Sequence, residues 1–364
     1  MKKFNWKNLS LFKNSGASAL TFRAWEFTGT AMVNLFIFTL LAAYLSPLVY
    51  MVATSLKEKQ QLRDSSAPLY PARQVEFEYE GKSYPVLEVP TEAGIQHWAI
   101  ITHTRTRTSA EFIDPANPEA GPIAWQGNWR ELKTVYTPYV TFDNFTNLWT
   151  AAKFPLTMKN TLIIAVISEI GVLLASIAVA YGFSRFRIPG GKWLFLLLIA
   201  TILIPESITL VPTYFFYVRV LEWNGTWYPL IAPHLFGNAI YIFLLRQNFK
   251  SIPKDLDEAA MLDGAGPLRI LFSIILPQAI PAVATVALLH FFYTWNELRQ
   301  ASLYLGIVPN LRTVSFNVQT YQTLTFTPET LQASALLVMV VPVLVLFIFQ
   351  RFFMQDMVVT GMEK

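Results

Sequence analysis

The sequence predicts an all-α polytopic membrane protein with six transmembrane helices and a β-rich extracytoplasmic insertion between the first two. Three observations predict it. The chain of 364 residues is 53% hydrophobic and only 14% charged, against about 25% charge in a soluble domain. Apolar runs recur at a length that spans a bilayer as a helix, and in hydrocarbon every backbone polar group must be bonded within its own segment. Between the first and second run lies a long polar stretch in which residues 75–79 alternate with period two, the strand signature.

The spans fall at about 30–53, 160–181, 193–211, 229–245, 278–293 and 331–352. Pro205 lies inside the third. Pro277 and Pro281 stand at the start of the fifth, where the first helical turn has no partner for the missing N–H. About thirty residues, many of them polar, precede the first run, and no small-residue cleavage site follows it, so it reads as a retained helix and not a signal peptide. The organisation is then an N-terminal segment 1–29, a first helix 30–55, an insertion 56–140, a core 141–352 and a tail 353–364.

Lys and Arg set the orientation. Lys2, Lys3, Lys7, Lys13 and Arg23 precede the first span. Arg185, Arg187 and Lys192 lie between the second and third, and Arg246, Lys250, Lys254 and Arg269 between the fourth and fifth. Arg351 and Lys364 follow the sixth, while the short loops on the other face carry only Arg219, Arg299 and Arg312. Both termini are therefore expected in the cytoplasm. The charges of the long insertion do not overturn this, because long loops cross largely regardless of charge.

Within the insertion, residues 75–79 alternate apolar and acidic side chains, Gly81-Lys82 can turn, and 84–89 can return as a second strand. Pro85 would confine that strand to an edge. Residues 98–101 offer a third strand and 114–118 a turn cluster. The alternative is a loosely ordered loop. Glu76, Glu78 and Glu80 read as the solvated face of a strand.

The stretch 249–281 is the most informative. Pro253 suits a first helical turn, and Asp255, Asp257 and Glu258 follow near the positive end of its dipole. Leu256, Ala259, Ala260 and Asp263 repeat at i, i+3, i+4, i+7 and make a small, mostly apolar face. Gly264 can end the helix left-handed, Gly266-Pro267 can open another, and Leu276-Pro277 can turn the chain back. On physics alone this is a short helix across the cytoplasmic face, either docked in a partner's groove or lying on lipid.

Glu258-Ala259-Ala260, Asp263-Gly264-Ala265, Ile274, Leu276 and Pro277 resemble, at the same spacing, the EAA loop of binding-protein-dependent ABC importers. Tyr181 to Phe186, Pro205, Val211 to Tyr214, Thr141 to Phe145, Thr294 to Glu297 and the tail 361–364 resemble further stretches of that family. The likeness covers about 30–57 and 140–364. It points to the carbohydrate-uptake class, similar to the six-helix permease of the maltose transporter, and so to the type I importer fold. The enlarged first external loop departs from it. The resemblance implies that Glu258, Ala259, Ala260, Asp263, Gly264, Leu276 and Pro277 belong to a coupling helix seated in an ATP-binding subunit. It also implies a second permease, paired ATP-binding subunits, an external solute-binding protein and a carbohydrate substrate.

No phosphate loop occurs, since Gly190-Gly191-Lys192 runs into Trp193 without the upstream glycine. ATP and Mg are therefore expected on the partner ATPase subunits, with no cofactor on this chain. The absence of Cys excludes disulfides and thiolate sites, and nothing suggests a nucleic-acid surface. His97 and His103 read as surface residues. Polar groups in or near spans are costly and mark a pathway or a helix–helix hydrogen bond. Glu206, His234, Asn238, His290 and Asn296 stand open to both readings. Tyr214 and Trp295, with Phe215, Phe216 and Tyr293, offer either aromatic faces for sugar rings or an interfacial belt. Two other classes remain possible. One is a membrane-embedded glycosyl or lipid transferase, which needs acids clustered at one face. The other is a stand-alone secondary carrier, which usually shows two inverted halves.

Overall fold

The computed structural model describes residues 19–359 except 93, 102–105, 107 and 326. His103, the four lysines before residue 14 and the tail 361–364 lie outside the described residues. Helix α1 (Ala19–Ser55) holds an apolar span, Thr28–Ser55, whose residues 28–50 are all exposed and whose last two, Thr54 and Ser55, are buried. Such an all-round apolar surface fits lipid or other helices and not water.

From residue 54 the chain forms a second unit that contains both the insertion and the helical core. The described residues of the insertion form a β lobe of eight strands: β1 (Ala72–Gln74), β2 (Glu76–Tyr79), β3 (Lys82–Thr91), β4 (Gly94–Ile100), β5 (Ser109–Ile113), β6 (Ile123–Gln126), β7 (Lys133–Thr134) and β8 (Tyr136–Pro138). Strands β2 to β6 pair in chain order, β7 joins β3, and β1 pairs with β8. The β2–β3 hairpin forms as the alternation predicts, but its turn is Glu80-Gly81 and not Gly81-Lys82, because Lys82 already pairs with Tyr79. Both turn residues have positive φ, 51° and 74°, the mirror-image turn that matches strand twist.

Pro85 does not put β3 on an edge. β3 is central, with β2 and β7 on one side and β4 on the other. Pairing with β4 starts one residue later, at Val86↔Ala99. The Val86 N–H bonds Val75 on the β2 side, so by alternation the nitrogen of residue 85 points to the unpaired side and no ladder bond is lost. Both faces of the sheet are covered. Tyr84, Val86 and Ile113 pack on one, and Leu87, Val89, Ile100 and Phe112 on the other under Trp98, Trp125 and Trp129. The turn at 114–118 forms on Asp114, whose Oδ1 accepts from Ala116 N.

The helical core comprises α2 (Asp143–Ala151), α3 (Phe154–Arg185), α4 (Gly191–Ala200), α5 (Glu206–Phe215), α6 (Tyr228–Ile231) and α7 (Ala239–Ser251). It continues through α8 (Asp255–Leu262), α9 (Pro267–Ile270), α10 (Leu276–Gln278), α11 (Ile280–Trp295), α12 (Arg299–Leu305), α13 (Val314–Thr325) and α14 (Pro328–Val359). α3 is the central rod and packs against α7, α11 and α13. Its buried stripe of Thr161, Ala165, Ser168, Val172, Ser176, Ala180 and Ser184 is mostly small, which lets neighbouring backbones approach closely. At Gly171 an added Cβ would lie 2.4 Å from Leu235 Cδ2 and 3.3 Å from its Cα.

Among the described residues, four helices are long and apolar enough to cross a membrane: Thr28–Ser55, Phe154–Arg185, Tyr228–Ser251 and Pro328–Phe352. Two bent pairs would raise the number to six, Gly191–Leu203 with Glu206–Val220 at 91° and Pro267–Gln278 with Ile280–Trp295 at 81°. The third expected span is thus broken at Pro205, which cannot donate to the turn before it and pushes Ile204 to extended backbone. The fourth is interrupted at Gly237, φ 81°, after which Asn238 starts α7. The last helix runs past the expected 352 to Val359.

Candidate functional site

The stretch 249–281 folds as a short exposed helix held between the ends of larger ones. α8 starts two residues after Pro253 and has Asp255, Asp257 and Glu258 in its first turn. Its end is a Schellman motif: Gly264 takes φ 81° and donates to Met261 O (3.0 Å), while Ala265 N donates to Ala260 O (2.9 Å). Gly266 then caps α9, with Pro267 in its first position, and Pro277 lies in the first turn of the short α10 before the chain bends at Ala279.

One side of α8 is fixed to the bundle. Arg185 Nε, at the end of α3, lies 2.7 Å from Asp257 Oδ2, and its Nη2 donates to Ile252 O at 3.0 Å. Tyr181 OH donates to Pro267 O (3.0 Å). Arg246 on α7 donates to Phe183 O (3.2 Å) and sits over the Phe195 ring. Ala260, Ala265 and Leu276 pack against an apolar cluster that contains Val172, Tyr181, Leu245, Phe249, Ile270 and Ile275.

The other side is free in this chain. Glu258, Ala259 and Asp263 are exposed, as are Gly264 and Pro277, and Leu262 is 89% exposed, with Met261 and Leu268 exposed as well. The face expected from Leu256, Ala259, Ala260 and Asp263 is therefore divided. Ala260 turns inward with Asp257, and the other three turn outward. Asp257 is the residue that sequence reasoning missed, since it had only a dipole role. No local spacing ties it to Arg185, so only the packing of α3 against the loop reveals the pair.

The residues expected along a solute path do not form one group. His234, in the turn Ala232–Phe236, and the buried His290 on α11 have ring centroids 4.7 Å apart. Tyr293 lies 6.0 Å from His234, and Tyr241 lies 5.7 Å from His290. A narrow cavity beside them is lined by Thr161, His234, Tyr293, Thr294, Glu297 and Gln300, among others. Glu206 forms an ion pair with Arg299 and accepts from Gln300 Nε2 at 3.4 Å. Glu206, His234 and His290 are thus brought to one neighbourhood.

The other four expected residues are held by contacts of their own. Trp295 is fully buried among Phe154, Val314 and Val318 and donates to Val338 O (3.2 Å), so it sits at neither an open path nor a lipid belt. Asn238 caps α7 by accepting from Ile240 N. Asn296 donates to Phe292 O at the end of α11. Tyr214 stacks on Tyr304 with centroids 5.7 Å apart. Glu169 on α3 was also missed. Neither of its buried carboxylate oxygens has a hydrogen-bond partner among the described residues. The signal was available, because Glu169 is the one charged residue in the run 160–181.

Comparison with known proteins agrees with this architecture. Residues 162–359 match the family model described as binding-protein-dependent transport system inner membrane component. The chain is similar to the osmoprotective compounds uptake permease protein GgtD of Synechocystis sp., 32% identical over 70% of this chain and 85% of that one. It is also similar to the sulfoquinovosyl glycerol transport system permease protein SmoH of Agrobacterium fabrum, 30% identical over 72% and 85%. Among solved structures it shares its fold with a chain of a bacterial ABC transporter involved in the import of the acidic polysaccharide alginate. The TM-score is 0.59 and the identity 18%, over 93% of this chain and all of that one. With more than half of its length matched and two relatives aligned over more than two thirds of it, the chain belongs to the family of binding-protein-dependent transport system inner membrane components.

Proposed function

We propose that this chain is the channel-forming permease subunit of an ATP-binding-cassette importer that brings a carbohydrate into the cell. The observation that carries the reading is the division of α8. Asp257 and Ala260 fix it to the bundle while Glu258, Ala259 and Leu262 stay exposed, an arrangement suited to a helix that docks in a partner's groove. ATP and Mg reside on two ATP-binding subunits, and this chain supplies the mechanical response, a two-state change of access biased by nucleotide. A second permease completes the channel, and a solute-binding protein delivers substrate from outside.

In this reading both bent pairs cross the cytoplasmic membrane, giving six crossings with both termini in the cytoplasm. The loop 249–281 then faces the ATPase, and the β lobe faces the side from which solute arrives. The excess of Lys and Arg on the loop side supports this orientation. The carbohydrate assignment draws on the similarity to SmoH, named for transport of sulfoquinovosyl glycerol, a sugar glycoside. The solute path is proposed along His234, His290 and Tyr293, with Glu206 at its rim.

The test is ATPase and uptake by the reconstituted complex, wild type against Glu258→Arg, with and without binding protein and candidate sugars. The expected result is an assembled complex that has lost stimulation and transport. Intact transport in Glu258→Arg would reduce α8 to a surface helix and remove the main support for the assignment.

A further inference from the structure

Arg185 is the point at which separate stretches of the chain meet. It ends α3, pairs with Asp257 in the first turn of α8 and donates to Ile252 O, the residue that follows α7. One turn earlier Tyr181 holds Pro267, the first residue of α9. The Arg185 and Asp257 side chains are only 6% and 8% exposed. That burial decides what kind of interaction this is. An exposed ion pair contributes little, whereas removing one member of a buried pair strands the other charge. A guanidinium also suits the place better than an ammonium, because its rigid fork reaches two acceptors at once.

α3 is in turn bound to the rest of the core. Val172, Ala180 and Tyr181 share an apolar cluster with Tyr241, Leu245 and Phe249 of α7, and Gly171 admits Leu235 at close range. A push on α8 therefore acts on a helix already pinned at Asp257 and packed at Ala260, and the rod that pins it runs past the His234–His290 neighbourhood.

We propose that Arg185 is a positioning residue for transport. Its pair with Asp257 and its bond to Ile252 hold α8 rigidly on α3, so that motion imposed on the Glu258–Leu262 face moves the bundle and is not lost in the loop. This rests on the importer reading above.

The experiment measures assembly, ATP hydrolysis and solute transported per ATP in the reconstituted complex. The main variant is Arg185→Met with Asp257→Leu, which removes both charges and leaves none uncompensated. It is expected to assemble and hydrolyse ATP, yet to carry about fivefold or more fewer solute molecules per ATP, the lower end of ordinary coupling strengths. A wild-type ratio in this variant overturns the proposal and makes the pair a matter of packing. Should the double variant fail to assemble, Asp257→Asn, which keeps the shape and one acceptor oxygen, decides on the same ratio. There too, a reduced ratio supports the proposal and a wild-type ratio overturns it. A wild-type complex without any binding-protein-stimulated hydrolysis would instead remove the importer reading, so the two failures are told apart.

Discussion

Asn144 donates its side-chain amide to the carbonyl oxygens of both Ser55 (2.8 Å) and Lys57 (2.9 Å). One buried residue at the start of α2 thus holds the chain that enters the β lobe against the chain that leaves it. Thr141 N adds a bond to Leu56 O (3.1 Å), so the lobe is a closed insertion with tied ends. Asn144→Ala leaves two buried carbonyls short of a donor and should destabilise this junction by about 1–3 kcal/mol. Thermal unfolding of the purified complex and hydrogen exchange at residues 55–57 check it.

Because its ends are tied, the lobe should be removable. Excision of 67–137 with a short polar linker is expected to leave assembly and basal ATPase intact and to weaken stimulation by the binding protein. Titrating ATPase against binding protein decides it, and undiminished stimulation would take the lobe out of docking.

Gly264 ends α8 at φ 81° with open space around its Cβ position. Gly264→Ala therefore costs only the left-handed backbone, about 1–2 kcal/mol. Since Asn tolerates that conformation, Gly264→Asn should cost less. Uptake by membranes holding equal amounts of assembled complex is expected to fall in the order Gly, Asn, Ala. Equal uptake by all three would show that the geometry of this turn does not matter to transport.

Gly171 lets α3 touch Leu235. Gly171→Ala forces Leu235 aside, and overpacking of this kind costs about 1–3 kcal/mol. Leu235→Ala in the same chain vacates the space, so the double variant should recover the thermal stability lost by the single one.

The lobe should also respond to pH. Burial of Asp64 opposes its ionisation, but hydrogen bonds from the Ser66 side chain and backbone, Tyr136 and Thr134 outweigh it and hold the carboxyl below its ordinary value. Burial first, and then the bond to Asp64, push the Tyr136 phenol up. The Asp64 contribution is thus present above the unfolded carboxyl pKa and lost as pH falls through the lowered folded one. The Tyr136 contribution is present below the unfolded phenol pKa and lost as pH rises toward the raised one. Stability at Asp64 and Tyr136 should form a plateau through neutral pH with an acid and an alkaline edge. Tyr136→Phe should weaken both edges and lower the plateau by about 1 kcal/mol. Hydrogen exchange of β1 and β8 as a function of pH reads it.

Much of this architecture was legible in the sequence because it is locally encoded. The β2–β3 hairpin follows from strict alternation, the end of α8 from Gly264, and the apolar spans from their length. The resemblance carried by 258–265, 274 and 276–277 pointed to the family that the comparison bears out over 162–359. The break of the third span was marked by Pro205, though its 91° bend was not.

What only the tertiary structure decided is which polar and aromatic residues meet. Trp295 is buried against α14, and Asn238 caps a helix. Asp257 finds Arg185, and His234 lies against His290. In a soluble helix periodicity separates a wet face from a packed one, and that contrast tells a sequence reader where side chains point. In a membrane span lipid and core are both apolar, so the residues of α3 or α11 do not announce which side faces protein. A buried charge such as Asp257 is stabilised by a partner distant in the chain, and the sequence around it does not say which one.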